Sequence, residues 1–245
     1  MIQPDLSTRT ALVTGSAQGL GRAFALALAD AGADVAVHYH SSDVQAEATA
    51  REIHELGVDS VAVQGDVTDP DSVDAMVEEV EAELGSVDVL VNNVGDFAPS
   101  HWQDIDWGTW QRVLSTNLDG TVLCARRVLP AMREQGWGRI VNVGYASSEK
   151  AMVSPKNFPY FVAKTGILMF TRMLAADTQD DGITVNAVSP YVVESSDEFP
   201  DDAPRGRWAS FDDLTQAMLF FCDEGSDYIS GENIEVDGGW LPENV

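Results

Sequence analysis

Short apolar runs alternate with helix-periodic stretches along almost the whole 245-residue chain, and this alternation narrows the fold more than any other feature. Thr10 to Gly15, Asp34 to Tyr39, Ser60 to Asp66, Val87 to Asn93, Arg139 to Val143, Ile183 to Ser189 and Asn233 to Val236 read as strands. Between them, Gly19 to Ala31, Val44 to Leu56, Asp71 to about Leu84, Trp107 to Arg133, Phe161 to Asp177 and Phe211 to Phe221 carry helical periodicity. Strands that are apolar on both sides, each followed by a helix, predict a parallel sheet covered on both faces. The expected fold class is therefore α/β, a doubly wound seven-stranded parallel sheet. Nothing in the chain reads as a linker, repeat or low-complexity tract, so a single domain over 1–245 is expected. The stretch from Tyr191 to Arg207, rich in Ser, Asp and Pro, reads as a loop over something.

Charge limits the partners. Forty acidic residues against fourteen basic ones give a net charge of −26 and a pI near 4.1. Such a field repels polyanions, so neither nucleic acid nor an anionic membrane surface is an expected partner. Lysine stands only at positions 150, 156 and 164, and the acidic excess is spread along the chain. That pattern fits a protein adapted to high internal salt, where screening removes self-repulsion. No apolar run approaches the ~20 residues that span a bilayer, and the first residues lack the basic and apolar blocks of a signal peptide. Cys124 and Cys222 each lie in an apolar helical pattern, which predicts buried thiols in a reduced, cytoplasmic compartment.

The first strand ends in Thr14-Gly15-Ser16-Ala17-Gln18-Gly19-Leu20-Gly21, which leads straight into the first helix. Glycines at such a turn let the backbone approach a pyrophosphate, and the helix N-terminus offers unpaired N–H groups and the positive end of its dipole. A strand, glycine turn and helix in that order predict dinucleotide binding by a Rossmann-type domain. At the end of the second strand stand His38-Tyr39-His40-Ser41-Ser42, with no carboxylate before Asp43. An acidic residue there would bind both ribose hydroxyls and repel a 2′-phosphate. His40, Ser41 and Ser42 can instead donate to a phosphate, so NADP(H) is expected over NAD(H). Strand alternation places His38 and His40 on one face, but no third ligand accompanies them, so no metal site is expected.

Tyr160 and Lys164, four residues apart, lie on one face of a helix. An ammonium beside a phenol favours the phenolate, lowering its pKa from ~10 and making it a usable acid or base.

The spacing Thr-Gly-x-x-x-Gly-x-Gly resembles that of the short-chain dehydrogenase/reductase family, and the resemblance runs from about Leu6 to Asp237-Gly238-Gly239. Asn92-Asn93-Val94-Gly95 resembles the family's signature after the fourth strand, with Val94 in place of alanine. Asn117 matches its helix asparagine, Tyr160 and Lys164 its catalytic pair, and Asn186 with Ser189-Pro190 its sixth-strand signature. The resemblance implies hydride transfer between nicotinamide and a carbonyl or alcohol. Tyr160 would exchange the proton, Lys164 would tune it and hold the ribose, and Asn117 would anchor a relay water. It implies cofactor contacts at Gly15, Gln18, Gly19, Leu20, Gly21, Asp66, Val67, Asn93, Val94, Gly95, Pro190 and Val193, besides Tyr160 and Lys164. Asp66 could equally cap a helix, and Asn93 a turn.

Two departures stand out. Val143-Gly144-Tyr145 occupies the place of the family's catalytic serine, so either Tyr145 or, through a bulge, Ser147 donates to the substrate oxygen, or the site lacks this donor. At Pro190-Tyr191 the family normally has glycine and a longer segment over the substrate. The overall pattern resembles the 3-oxoacyl-thioester reductases. His38 to Ser42 resembles pteridine reductases, so a pteridine or dihydrofolate-type reductase is the alternative, followed by a sugar or polyol dehydrogenase and, last, a non-catalytic dinucleotide sensor. The family's habit implies a homotetramer, with Trp102, Trp107 and Trp110 expected in a core or subunit interface and Trp240-Leu241-Pro242 in another contact.

Overall fold

The computed structural model describes residues 4–146, 148, 155–196, 199 and 203–240. Its strands are β1 (Thr10–Val13), β2 (Asp34–Tyr39), β3 (Ser60–Gln64), β4 (Val89–Asn92), β5 (Gly138–Val143), β6 (Ile183–Pro190) and β7 (Asn233–Val236). They form one parallel sheet in the order β3-β2-β1-β4-β5-β6-β7. All residues of β1, β4 and β5 are buried, as the unbroken apolar runs require of strands covered on both faces.

Seven helices cover the sheet: α1 (Gly19–Asp30), α2 (Asp43–Glu55), α3 (Pro70–Glu83), α4 (Trp107–Leu114), α5 (Gly120–Gln135), α6 (Phe158–Asp177) and α7 (Phe211–Cys222). On one face Phe24 and Leu28 of α1, Ile53 of α2 and Leu214 of α7 pack on the strands. On the other, Met76 of α3, Val128 and Met132 of α5, and Ala175 of α6 do so. Each fully buried large side chain contributes roughly 1.5–3 kcal/mol. Both cysteines are buried, and burial pushes each thiol up to about 12.

The stretch read as one helix from Trp107 to Arg133 is three pieces: α4, a π-turn over Ser115–Asp119, and α5. The π-turn inserts an extra residue into the helical ladder and rotates Asn117 into the interior, where it is fully buried. At the other end of the site, α6 begins at Phe158, so Tyr160 sits in its first turn and Lys164 one turn further on. The chain runs outward from β1 through β2 and β3, then returns to β4 and runs outward the other way. That reversal opens a crevice beyond the C-terminal ends of β1 and β4, where a doubly wound sheet binds its ligand.

Candidate active site

The glycine turn after β1 is built for close approach. Gly15 has φ +65°, and a Cβ there would lie 2.9 Å from Val94 Cγ2. A Cβ on Gly21 would lie 2.3 Å from the Gly15 carbonyl oxygen, so only glycine lets α1 start so close to the turn. Gln18 and Gly19 are exposed, and α1 has neither a side-chain cap nor an acidic residue in its first turn. An uncapped helix N-terminus behind an exposed glycine backbone fits a pyrophosphate, so these residues suit a dinucleotide.

The turn is held from both neighbouring strands. Asn93 Nδ2 donates to the carbonyls of Thr14 (3.0 Å) and Gly15 (3.2 Å). Thr14 Oγ1 accepts from the N–H groups of Asn93 (2.9 Å) and Val94 (3.2 Å). On the β2 side, His38 is 1% exposed, and its Nδ1 accepts the Gly15 N–H at 2.9 Å while Nε2 lies 3.1 Å from the Gly65 carbonyl. Desolvation by burial brings its pKa down to about 4, with the Gly65 hydrogen bond and the Asp66 charge opposing. Strand alternation puts His38 and His40 on one face; in the structure His38 is buried, while His40, just past the end of β2 at Tyr39, is exposed.

The expected contacts of the adenosine half lie together at the ends of β2 and β3. His40 and Ser41 are exposed, Ser42 is half-buried, and Asp66 follows β3. The Asp66 carboxylate accepts from Thr68 N (2.9 Å) and Thr68 Oγ1 (2.7 Å), and these bonds hold its pKa below the usual carboxylate value. Asp66 thus closes a local turn over Thr68 and does not cap α3, whose N-cap is Asp69. Val67 is buried against α5, where a Cβ on Gly120 would lie 2.8 Å from its Cγ2. Val94 and Gly95 continue the loop after β4, Pro190 closes β6 opposite Val236, and Val193 bridges to Ala209.

Lys164 is 3% exposed, and its Nζ donates to the Val143 carbonyl at 2.7 Å. It also lies 5.4 Å from the centroid of the Tyr160 ring. The ring of Tyr160 is met edge-on by Phe97 at 5.0 Å and by Tyr145 at 5.6 Å. The structure thus brings Tyr145, Tyr160 and Lys164 together, and adds Phe97, which carries no motif to mark it in the sequence. Ser147 lies outside the described residues. The proton affinities differ from the simple expectation of an ammonium lowering a phenol. Burial, and then the neighbouring Tyr145, push the Tyr160 phenol up, while burial brings Lys164 down to about 7. Two groups withdrawn from water both favour their neutral forms, and desolvation outweighs their mutual attraction.

Asn117 backs this cluster. Its Nδ2 donates to the carbonyls of Asp96 and Val113, both at 2.9 Å, and its buried Oδ1 has no hydrogen-bond partner among the described residues. A Cβ on Gly95 would fall 2.2 Å from that oxygen, so the glycine makes room for the asparagine. The three tryptophans are not in the core. Trp102 is 49% exposed and stacks on Phe158, and Trp107 is 68% exposed and stacks on Trp110.

A glycine-turn dinucleotide cradle at the switch point and a Tyr160–Lys164 pair at the C-terminal end of β5, its lysine buried, define an oxidoreductase that uses a nicotinamide cofactor. The chain belongs to the short-chain dehydrogenase/reductase family, in its 3-oxoacyl reductase branch, and is NAD(P)-dependent. The family model described as enoyl-(acyl carrier protein) reductase matches residues 15–241. The chain is 38% identical over 242 residues to 3-oxoacyl-(acyl-carrier-protein) reductase FabG of Staphylococcus aureus, covering 95% of this chain and 98% of that one. Its fold is similar to gluconate 5-dehydrogenase of Burkholderia cenocepacia, solved with NADP and tartrate (TM-score 0.90, 30% identity, 97% of each chain). It is also similar to acetoin dehydrogenase YohF of Salmonella typhimurium (TM-score 0.87, 30% identity, 96% of this chain and 98% of that one).

Proposed function

We propose that this chain reduces the ketone of a 3-oxoacyl thioester with NADPH. The observation that carries the reading is the Tyr160–Lys164 pair beside Tyr145 at the end of β5, with Lys164 buried and Tyr160 half-buried; the FabG relative's 38% identity over nearly the whole chain supports the substrate class. The bound nicotinamide supplies the hydride. Tyr160, kept protonated at neutral pH by burial, gives its proton to the substrate oxygen as negative charge develops there. Lys164, titrating at about 7, exchanges protons in the working range and restores the Tyr160 hydroxyl. Asn117 holds a water in that relay through its unpartnered oxygen. Tyr145 donates a hydrogen bond to the same substrate oxygen.

Gly15, Gln18, Gly19, Leu20 and Gly21 cradle the pyrophosphate, and His40, Ser41 and Ser42 receive the 2′-phosphate. Asp66 and Val67 flank the adenine, and Asn93, Val94, Gly95, Pro190 and Val193 line the nicotinamide half. The exposed Trp107, stacked on the half-buried Trp110, and Val162, Met169 and Met173 exposed along α6, support a homotetramer built on these helices. No helix among the described residues is long and apolar enough to cross a membrane. The acidic charge and buried free thiols support a salt-adapted cytoplasmic enzyme, of one domain over 1–245.

A sugar or polyol substrate is the second reading, favoured by the likeness to gluconate 5-dehydrogenase. NADPH oxidation in multimolar KCl, with acetoacetyl-CoA, 5-ketogluconate, dihydrobiopterin and simple ketones, separates the readings. Tyr160→Phe is expected to lose roughly 10²–10⁴-fold in turnover while NADPH binding persists. Turnover of the sugar acid but not the thioester would move the assignment to the second reading, and no turnover of any class by an NADPH-binding protein would remove the enzyme from both.

A further inference from the structure

From the reacting phenol a row of aromatic rings leads away toward the C-terminal strand. The Tyr145 ring, edge-on to Tyr160, lies 6.3 Å from the ring of Tyr191, and Tyr191 is stacked on Trp240 at 3.9 Å with only 14° between the planes. Behind Tyr191 is a cavity of about 480 Å³. Val192, Trp208, Ile234 and Val236 give it an apolar side, and five charged residues, the Arg207–Asp213 ion pair among them, line the rest. Tyr191 lines that cavity and also touches the ring that touches Tyr160, whereas Tyr145 and Tyr160 do not line it.

The backbone explains why Tyr191 stands there. It follows Pro190, which closes β6 in register with Val236 of β7. Just beyond β7, Gly238 (φ +70°) and Gly239 (φ +84°) take left-handed conformations, and the turn carries Trp240 back over the Tyr191 ring. A Cβ on Gly238 would lie 2.9 Å from Pro204 Cβ, so the turn is also packed closely against the loop before α7. An aromatic ring held face-on by an indole, at a spacing where stacked pairs attract, is a wall of fixed position.

We infer that Tyr191, braced by Trp240, is a specificity-determining partition that closes the reaction site against this cavity and confines the substrate to short acyl chains. The inference rests on the carbonyl-reductase reading of the Tyr160 site and adds its size limit. Without the ring, the reaction site and the cavity become continuous, and the apolar walls accept the methylenes of a longer chain.

The test compares wild type, Tyr191→Ala and Trp240→Ala by kcat/KM with NADPH on acetoacetyl-CoA, 3-oxooctanoyl-CoA and 3-oxododecanoyl-CoA. In parallel, the same enzymes are given butan-2-one and decan-2-one. Wild type is expected to favour the short member of each series at least tenfold. Tyr191→Ala is expected to raise the long-to-short ratio tenfold or more, and Trp240→Ala to raise it less, with NADPH affinity unchanged in both. Tyr191→Leu, which keeps an apolar side chain of intermediate size, gives the ratio if the alanine variant does not fold. Unchanged ratios in all variants overturn the partition, as does a wild type indifferent to chain length. Ketone turnover with no thioester turnover sinks the thioester reading while leaving the partition to be judged on the ketones. No turnover of either series removes the activity on which the partition depends, and overturns it.

Discussion

Acid should loosen the glycine turn through a single buried imidazole. His38 has both ring nitrogens engaged when neutral: Nδ1 accepts the Gly15 N–H, and Nε2–H donates to the Gly65 carbonyl. A proton added at Nδ1 would face the Gly15 N–H donor to donor, and would bury a charge in a site 1% exposed. The charged groups around it pull in opposite directions, His40 lowering the pKa and Asp66 raising it, and burial prevails. In the unfolded chain the histidine takes its proton as pH falls through 6.5, and in the folded chain only near 4. A depressed folded pKa means that the contribution to stability is whole above pH 6.5 and disappears as pH falls toward 4. A gap of about 2.5 pH units at 1.36 kcal/mol each is worth about 3 kcal/mol.

Acidic groups also titrate in that window, so the measurement must be a difference. Urea unfolding of wild type and His38→Asn, from pH 7.5 to 4 in constant multimolar KCl, removes what the two proteins share. Asparagine keeps an acceptor near the Nδ1 position but cannot titrate. The stability of wild type minus that of the variant should fall by about 3 kcal/mol across the window, with a slope approaching 1.36 kcal/mol per pH unit below 6.5. NADPH affinity should follow, because the turn that His38 holds is the one proposed to carry the pyrophosphate. Parallel stability curves would refute the reasoning, for they would mean that His38 titrates alike folded and unfolded.

Two further substitutions probe the proton site. Lys164 falls from 10.5 to about 7 on folding, so its burial costs most at and below pH 7, and wild-type stability recovers as pH rises toward 10.5. Lys164→Met should abolish turnover yet melt higher at pH 7, by about 2–4 kcal/mol once the orphaned Val143 carbonyl is set against the relieved charge, and its stability should lack this pH dependence. Gly95→Ala puts a methyl group 2.2 Å from Asn117 Oδ1. It should destabilise by about 1–3 kcal/mol in thermal melts and lower kcat more than it raises the KM for NADPH, since the displaced residue belongs to the proton relay.

The alternation of strands and helices, the glycine turn and the Tyr160–Lys164 pair were legible because each rests on local chemistry: apolar runs, φ-permissive glycines, and one turn of helix. What the sequence hides is longer in range. That His38 holds the glycine turn was hidden because its partners, Gly15 and Gly65, lie 23 and 27 residues away on neighbouring strand ends. The π-turn at Asn117 has no compositional mark, since Ser115 to Asp119 continue a helical pattern whose ladder shifts only when α4 and α5 pack around the loop after β4. Phe97 and Trp240 reach their ring partners across 63 residues (97 to 160) and 49 residues (191 to 240) of chain, which no local period reports.

The reversal of proton affinities at Tyr160 and Lys164 follows from the same long-range packing. Adjacency along a helix predicts attraction between phenolate and ammonium, but attraction operates only once both charges exist. Among the described residues, the Val143 carbonyl accepts from Lys164 and the rings of Phe97, Tyr145 and Phe161 meet Tyr160, little polarity to replace the water lost by two ions. The pair therefore rests as a protonated phenol beside an amine near its midpoint at pH 7, which suits proton donation during reduction better than proton removal during oxidation. Rates should reflect that bias: ketone reduction should be fastest below pH 7 and fall as Lys164 loses its proton, while alcohol oxidation should climb with pH through and beyond 7. Equal pH dependence in the two directions would mean that the proton leaves by a route other than Tyr160.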